Sequence, residues 1–517
     1  MRDQILAAWK LLPDYLLPHI ALSAAALALG IGIGLPLAIL AVRKPAWRGP
    51  LLGVASLIQT IPGLALLAIF YPVLLALSSV TKPAFGVDLP ALGFLPSVLA
   101  LSLYAILPVL RNGVTGLTGV DPAIREAANG VGMTPRQSLL RVEAPLAAPV
   151  VMAGIRTSAV WTIGAATLAT PVGQTSLGNY IFTGLQIENW VFVAFGCVAS
   201  AALAIVVHRL LALIETGAER RDARRIGAGL ALLALGTCLA VIGSRNARAD
   251  YELGAKNFSE QFILADLMAS RIERTGATTA MREGLGSAVA FRALANNEID
   301  AYVDYTGTLW ANVLGRTDVL PREELLAQLT AQLREKYGVV VLGALGFENA
   351  YGLAMKRARA TSLGIADDAS LAGQAPSLVL GADLEFLHRP EWARLQSVYG
   401  LRFRETKAYD PTFMYRALGD GIVDVISAFT SDGRIAENDL VVLPDPKGAL
   451  PSYDAVILVA PKRADDARLV DALRPLIGRI PVEAMRRANL AVDRDAGKMT
   501  PSNAARMLCR EIALPDC

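Results

Sequence analysis

The residue types that carry most enzyme and metal chemistry are sparse in this chain. It has three histidines and four cysteines, and the cysteines show no metal-ligand spacing. His19, His208, Cys197 and Cys238 all lie in apolar segments, where packing is the plainer interpretation. The phosphate-binding pattern Gly-x-x-x-x-Gly-Lys-Ser/Thr does not occur in the sequence, so the chain cannot hydrolyse ATP by the usual route. With no nucleophile–base set either, we predict a non-enzyme with no catalytic residues, no metal and no cofactor.

Composition divides the 517 residues into two parts. Hydrophobic residues make up 54% of the chain and charged residues only 18%, below the soluble average of about 25%. Leu, Ala, Ile and Val dominate residues 1–243, whereas residues 251–517 read like a soluble α/β protein. A net charge of +3 and the lack of a basic run with interleaved aromatics argue against a nucleic-acid partner.

The first part contains six apolar stretches long enough to cross a bilayer, which takes roughly 20 helical residues. They lie near Leu16–Val42, Leu51–Leu77, Leu89–Leu110, Leu146–Val172, Val191–Ile214 and Ile226–Gly243. Glycines and prolines inside these stretches are tolerated in membrane bundles, where they permit close packing and kinks. We predict an all-α polytopic membrane domain over residues 1–243.

Lys and Arg in the connecting loops predict the orientation of the spans. The first, third and fifth connections hold most of them: Arg43, Lys44, Arg48, Arg111, Arg125, Arg136, Arg141, Arg220, Arg221, Arg224 and Arg225. The intervening loops have one basic residue, Lys82. These three connections are therefore predicted to be cytoplasmic, and everything after the sixth span to be extracytoplasmic.

The third connection, residues 121–145, carries a recognisable motif. It reads Glu126-Ala127-Ala128, then Gly132, then Val142-Glu143-Ala144-Pro145, and it resembles the EAA loop of ABC-importer permeases. The resemblance implies a short helix that docks onto a separate cytoplasmic ABC ATPase, with Gly132 breaking the helix. An ordinary amphipathic loop is the alternative. Because six spans are few for a translocation path, we also expect two copies to pair across a twofold axis.

The segment from Arg220 to Asp250 has two interpretations. Its basic start, apolar run and Ala247-Arg248-Ala249 ending resemble a cleavable secretory signal. The apolar run is also long enough to span, and we favour an uncleaved anchor followed by a linker over residues 244–250. Cys509 and Cys517 would then face an oxidising space, and the sequence leaves their pairing open.

Beyond residue 250, short aliphatic runs alternate with helical patterns. Val339–Leu342, Leu378–Leu380 and Val423–Ile426 are typical of strands, and Phe262–Thr275 and Arg322–Lys336 of helices. This alternation predicts parallel sheets with helices on both faces. A length of roughly 270 residues favours two lobes over one core.

A series of motifs in this half resembles the receptors for glycine betaine, choline and carnitine, in the order of that family. The motifs span residues 254–261, 302–308, 349–351, 381–389, 431–435 and 451–453. The resemblance implies a two-lobed clamshell of the periplasmic-binding type over residues 251–517. Lobe 1 would comprise residues 251–350 and 452–517, and lobe 2 residues 351–451, with the ligand at the hinge.

The resemblance also implies the residues of the ligand site. The family's aromatic cage positions fall on Tyr305, Tyr351, Phe429 and Tyr453, whose faces can bind a trimethylammonium group that has no N–H to donate. Related receptors often carry Tyr at the Phe429 position, so this residue is a departure. The remaining predicted contacts, to a ligand carboxylate, are Arg389, Lys256 and Thr308. Arg389 could instead form an ion pair on the lobe surface.

Together these features predict the permease and receptor of a bacterial ATP-driven importer for a quaternary-ammonium solute, placed in the cytoplasmic (inner) membrane. The close alternative solute is ergothioneine, a trimethylammonium betaine with a thione-imidazole tail, which Phe429 and the polar Glu385 keep open. A membrane-anchored solute sensor is an alternative of another class, and an anchored enzyme ranks last.

Overall fold

A computed structural model describes residues 2–514 except 87–88, 187–188, 221, 247–248, 317 and 495–496. The chain forms two compact units, the first made of Met1–Phe182 and Val191–Arg248 and the second of Thr183–Trp190 and Ala249–Cys517. Cys517 lies outside the described residues, as do Ala247 and Arg248 of the possible cleavage motif. The predictions made for these residues therefore stay predictions.

The first unit is helical throughout its regular structure. Its helices are α1 (Arg2–Arg43), α2 (Pro45–Thr60), α3 (Gly63–Phe85), α4 (Phe94–Thr118), α5 (Pro122–Gly130), α6 (Pro135–Ser138), α7 (Ala144–Ala166), α8 (Gly178–Gln186), α9 (Trp190–Glu219) and α10 (Ala223–Asn246). A π-helical turn, Leu139–Glu143, leads into α7, and a 3₁₀ segment, Thr167–Val172, follows it.

Six helical segments of the described residues are long and apolar enough to cross a membrane, which confirms the predicted number. They are Gln4–Arg43, Gly63–Phe85, Phe94–Thr118, Pro135–Val172, Trp190–Glu219 and Ala223–Gly243. The prediction of one continuous span over residues 51–77 was wrong. Ile61 and Pro62 are extended, because proline lacks an N–H and disfavours helical geometry in the residue before it. The second candidate span therefore begins at Gly63.

Small residues let the long helices approach closely. A Cβ atom on Gly30 of α1 would lie 2.5 Å from Cβ of Ala105 in α4, and one on Gly113 of α4 would lie 2.6 Å from Cβ of Ala38 in α1. Such contacts are too short for any larger residue at the two glycines. Close packing through small residues is how helices associate where water cannot drive them together.

The second unit is an α/β domain. Its strands are β1 (Tyr251–Lys256), β2 (Thr279–Leu285), β3 (Ala301–Tyr305), β4 (Val340–Glu348), β5 (Tyr351–Lys356), β6 (Val379–Asp383), β7 (Glu405–Tyr409), β8 (Val425–Phe429), β9 (Leu440–Val442) and β10 (Asp454–Val459). Its helices are α11 (Ser259–Glu273), α12 (Ser287–Ala295), α13 (Thr306–Thr308), α14 (Arg322–Tyr337), α15 (Arg357–Leu363), α16 (Asp368–Gln374), α17 (Leu384–His388), α18 (Pro390–Tyr399), α19 (Pro411–Gly419), α20 (Arg434–Glu437), α21 (Ala467–Leu473), α22 (Val482–Asp493) and α23 (Pro501–Glu511).

The ten strands form two five-stranded sheets, ordered β2-β1-β3-β10-β4 and β7-β6-β8-β5-β9. Both sheets are mixed, which corrects the prediction of parallel sheets. Strand β10 runs antiparallel to β3 and β4, and β5 runs antiparallel to β8 and β9. The reason is connectivity, because the chain passes from β4 directly into β5 of the second sheet and returns as β10. The backbone N–H of Asn349 donates to the carbonyl of Tyr453 at 3.0 Å, so the two connecting segments are bonded to each other.

The turn after β8 packs directly on α22 through Gly433. A Cβ atom there would lie 2.5 Å from the carbonyl oxygen of Arg486 and 2.5 Å from Cβ of Leu490. We expect Gly433→Ala to destabilise the domain by about 1–3 kcal/mol through overpacking, lowering its Tm by roughly 5 °C. Thermal unfolding of residues 249–517 followed by circular dichroism measures this.

Gly373→Ala in α16 is the matched control, since a Cβ atom at Gly373 meets nothing within 4 Å. Alanine is the better helix former, so this variant should keep or slightly raise the Tm. Equal melting of the two variants would contradict the close contact between Gly433 and α22.

Candidate ligand-binding site

A cavity of about 530 Å³ lies in the α/β domain, among residues of both sheets. It contains all the residues that the sequence predicted for ligand binding. They are Lys256, Tyr305, Thr308, Tyr351, Arg389, Phe429 and Tyr453. Positions almost 200 residues apart in sequence therefore share one cavity.

Strand ends place the four predicted aromatic residues. Tyr305 is the last residue of β3, Tyr351 the first of β5 and Phe429 the last of β8, and Tyr453 directly precedes β10. Tyr351 and Phe429 are register partners across the antiparallel β5–β8 pair. The pairing of β10 with β3 places Ala455, two residues after Tyr453, opposite Tyr305.

The rings form a connected aromatic row. The centroid of Tyr351 lies 4.8 Å from that of Phe429 and 5.8 Å from that of Tyr453, which it meets edge to face. Phe258 completes the row, with its centroid 6.3 Å from that of Phe429 and 6.2 Å from that of Tyr305. Phe258 lines the cavity and was missed as a site residue, although it stands inside the motif of residues 254–261. We call Tyr305, Phe258, Phe429, Tyr351 and Tyr453 the aromatic row.

Arg389 is buried beside one end of this row and is not a surface residue. Its Nη2 donates to Oε1 of Glu385 at 2.7 Å and to Oγ1 of Thr308 at 3.2 Å. Its Nη1 donates to the hydroxyl of Tyr453 at 3.2 Å, and its Cζ lies 4.9 Å from the ring centroid of Tyr351. The side chain of Arg389 is only 4% exposed, whereas that of Glu385 is 47% exposed. The guanidinium of Arg389 is thus held in place at the cavity wall, and one of its partners, Glu385, is accessible to solvent.

Lys256 lies at the other end of the row, where its ammonium group is already paired. Its Nζ forms an ion pair with Asp304 in which both side chains are buried, and it lies 5.1 Å from the ring centroid of Tyr305. The hydroxyl of Tyr302 donates to the second carboxylate oxygen of Asp304 at 2.6 Å. In this structure the charge of Lys256 is therefore compensated by Asp304.

Carboxylates outnumber basic groups around the cavity. Six carboxyl side chains line it, namely Glu260, Asp383, Glu385, Asp410, Asp432 and Asp493. Three basic side chains do so, namely Lys256, Arg389 and Arg434. Burial opposes ionisation of Glu385, yet Arg389 and Lys256 bring the pKa of that carboxyl below its usual value. Burial raises the pKa of three of the other carboxyl groups, those of Glu260, Asp383 and Asp493.

Glu260 is a second residue that sequence reasoning missed. It is 2% exposed, and its Oε1 accepts hydrogen bonds from the hydroxyl of Tyr305 at 2.5 Å and from Nδ2 of Asn349 at 3.1 Å. Its Oε2 accepts from Nδ2 of Asn489 at 2.9 Å. The motif of residues 254–261 contains Glu260, but the sequence alone does not reveal that this glutamate is buried and hydrogen-bonded to the hydroxyl of Tyr305.

The predicted coupling residues lie in the first unit. Asp121 caps α5 by accepting a hydrogen bond from the backbone N–H of Ala123 at 2.9 Å. Glu126, Ala127, Gly132 and Pro145 are exposed, whereas Ala128 is buried. Gly132 follows the end of α5 with a φ of 80°, a conformation that favours glycine.

Glu143, quoted within the motif but given no role, proves to be buried at 1% exposure. It forms ion pairs with Arg43 at 2.7 Å and Arg125 at 3.5 Å, and its carboxylate accepts a hydrogen bond from Ser138 at 3.1 Å. The loop is therefore held to the end of α1.

Among the described residues, no group of three or more His, Cys, Asp or Glu side chains is arranged to hold a metal ion.

Two family models match the chain. Residues 249–510 match the substrate-binding domain of the ABC-type glycine betaine transport system. Residues 30–220 match the inner-membrane component of binding-protein-dependent transport systems.

Similar proteins include the ergothioneine transport permease/ergothioneine binding protein of Helicobacter pylori, which is 28% identical over 430 residues, or 80% of this chain and 74% of that protein. The choline transport system permease protein of Bacillus subtilis is 41% identical over 197 residues, or 38% of this chain and 83% of that protein. A crystal structure of a glycine betaine/carnitine/choline ABC transporter covers 51% of this chain and 98% of its own, with a TM-score of 0.45 and 23% identity. The chain belongs to the family of substrate-binding domains of ABC-type glycine betaine transport systems, and it carries that domain fused to a transport permease.

Proposed function

We propose that the α/β domain captures a quaternary-ammonium compound, such as glycine betaine, choline or carnitine, for import through the fused permease. The aromatic row carries this proposal. A trimethylammonium group has no N–H, so hydrogen-bond acceptors cannot recognise it, whereas aromatic faces attract it by about 0.5–2 kcal/mol per contact. All five rings of the aromatic row line the same cavity, with neighbouring centroids 4.8–6.3 Å apart, so a ligand in the cavity can contact more than one of them.

Arg389 supports a ligand that also carries a carboxylate. A guanidinium matches a carboxylate with two parallel hydrogen bonds. In this structure the half-exposed carboxylate of Glu385 accepts a hydrogen bond from Nη2 of Arg389. Because solvent can reach Glu385, a ligand carboxylate could take its place on Arg389 without leaving a buried charge unpaired. Thr308 lies beside the same nitrogen and adds a hydroxyl.

Ergothioneine is the second candidate. A cavity of about 530 Å³ leaves room for a ring beyond the trimethylammonium and carboxylate groups. The Helicobacter relative, which joins permease and binding protein, aligns with 80% of this chain. Ser287 and Glu385 line the cavity and offer polar contacts to an imidazole-thione.

The membrane part is proposed to work as a permease in a bacterial cytoplasmic membrane, with the receptor outside the cell and a separate ABC ATPase inside. We keep the division into a permease at 1–243, a linker at 244–250 and a receptor at 251–517, with lobes at 251–350 plus 452–517 and at 351–451. The loop of residues 121–145 would receive the ATPase, since its exposed Glu126, Ala127, Gly132 and Pro145 leave an accessible surface.

Pairing of two permease copies is supported by a charged cluster part way along two apolar helices. Arg156 of α7 forms an ion pair with Glu215 of α9, and its Nη2 donates to Nε2 of His208 at 2.8 Å. The cluster borders an open groove that also includes Arg209 and the 58% exposed Trp161. Arg209 and Trp161 stay exposed in the groove after Arg156 and Glu215 have paired, and a second copy packed across the groove would cover them.

We expect Phe429→Leu to weaken binding of the trimethylammonium ligand about tenfold, because leucine fills similar space without an aromatic face. Calorimetry of the purified chain with glycine betaine, choline, carnitine and ergothioneine measures this and identifies the solute. Phe403→Leu is the control, since Phe403 packs against Trp392 and does not line the cavity. Equal affinity of the Phe429 and Phe403 variants would remove Phe429 from the ligand site.

Gly132→Val should reduce uptake at least tenfold while ligand binding stays intact. A β-branched residue at a φ of 80° is strained, and this strain would displace the proposed docking surface. Uptake of radiolabelled ligand by cells and calorimetry of the purified variant separate the two effects. Gly130→Val is the control at a neighbouring exposed glycine without positive φ, and normal transport by the Gly132 variant would exclude the coupling role.

A further inference from the structure

Two tyrosines of the aromatic row donate their hydroxyl protons to buried glutamates. Tyr305 donates to Oε1 of Glu260 at 2.5 Å, and Tyr453 donates to Oε1 of Glu391. Both glutamates are buried, at 2% and 3% exposure. A buried carboxylate is thus hydrogen-bonded to the hydroxyl of the tyrosine at either end of the row.

The hydrogen-bond pattern fixes the direction of the Tyr305 proton. Nε2 of Gln261 donates to the Tyr305 oxygen at 3.0 Å, so the hydroxyl hydrogen is left for Glu260. The side-chain nitrogens of Asn349 and Asn489 can only donate, so Glu260 accepts from them as well. Burial raises the pKa of Glu260, while these hydrogen bonds and one from Ser431 counteract the rise. Burial, reinforced by Glu260, also raises the pKa of Tyr305 well above its usual value, so the phenol keeps its proton.

Glu391 differs from Glu260 in its surroundings. Nη1 of Arg389 lies 3.5 Å from Oε1 of Glu391 and also donates to the Tyr453 hydroxyl at 3.2 Å. The charge behind Tyr453 is therefore compensated by a neighbouring guanidinium. Among the described residues, the groups that hydrogen-bond to Glu260 are hydroxyls and amides, which are neutral, and no basic side chain forms an ion pair with it.

We propose that Glu260 is a specificity-determining residue that makes the ring of Tyr305 more negative through the hydrogen bond it accepts from the Tyr305 hydroxyl. A phenol that donates to a carboxylate gains electron density on its ring, and this strengthens the attraction of the ring for a cation. The negative charge of Glu260 adds directly to the same field. The row then selects a permanently charged trimethylammonium group over a neutral group of the same shape. This inference rests on the proposed function, because it concerns the same ligand.

The test compares each cation with its carbon isostere on the full chain purified in detergent. The pairs are choline with 3,3-dimethylbutan-1-ol, and glycine betaine with 3,3-dimethylbutanoate. For whichever trimethylammonium compound the chain binds, we expect Glu260→Gln to weaken the affinity about tenfold. The same substitution should change the affinity for the matching isostere less than twofold. Glutamine keeps the shape and a carbonyl acceptor for Tyr305. The side-chain oxygens of Asn349 and Asn489, which have no hydrogen-bond partner among the described residues, can accept from the new amide after local rearrangement.

Glu391→Gln is the matched variant. Because Arg389 compensates the charge of Glu391, this substitution should change the ratio of the affinities for cation and isostere clearly less than Glu260→Gln does. Tyr305→Phe should lower this affinity ratio, as Glu260→Gln does. The loss of binding free energy in the double variant should be smaller than the sum of the losses in the two single variants. An unchanged ratio in Glu260→Gln, or an equal loss for cation and isostere, would overturn the inference and leave a purely structural role. If the unmodified chain binds none of the trimethylammonium compounds, the proposed function itself fails.

Discussion

Recognition of a fully methylated ammonium group places an unusual demand on a fold, because several ring faces must meet around one point with little help from hydrogen bonds. The α/β domain meets this demand at its strand ends. Tyr305, Tyr351, Phe429 and Tyr453 each lie at or beside the end of a strand, and strand pairing sets their distances more rigidly than a loop could. Two of the rings also stand where the chain passes between the sheets, at the start of β5 and just before β10. The proposed ligand contacts and the connections between the sheets thus share the same residues.

Buried tyrosines create a second demand, since each hydroxyl needs a partner away from water. The structure supplies carboxylates to Tyr302, Tyr305 and Tyr453, and it surrounds these acids in turn with amides or basic groups. These hydrogen bonds therefore fix the orientation of the tyrosine rings. Phe429 needs no such partner, which explains how it can replace tyrosine in the row without leaving an unpaired group.

The candidate spans and the seven cavity residues could be predicted from the sequence because their signals are local or carried by motifs. Long apolar runs identify the candidate spans, and the family resemblance supplied the seven cavity residues. Sequence reasoning missed features that depend on contacts between distant segments. Strand β10 is antiparallel because the chain returns to the first sheet from the second, and the residue pattern of a single strand does not encode this return. The place of Phe258 in the aromatic row depends on its 6.3 Å distance from the Phe429 ring. The break at Ile61–Pro62 has a local signal in the proline, which an assignment based on the length of the apolar run did not use.

The burial of Glu143 shows how one carboxylate constrains the membrane part. Removing a buried charge from its partners costs several kcal/mol, so Glu143 cannot leave Arg43 and Arg125 without replacement. Arg43 is the last residue of α1, and Arg125 belongs to α5 in the loop of residues 121–145. Glu143 itself directly precedes α7. Any displacement of the loop must therefore be accompanied by the end of α1 and the start of α7, and the loop can act on the helices as one connected piece.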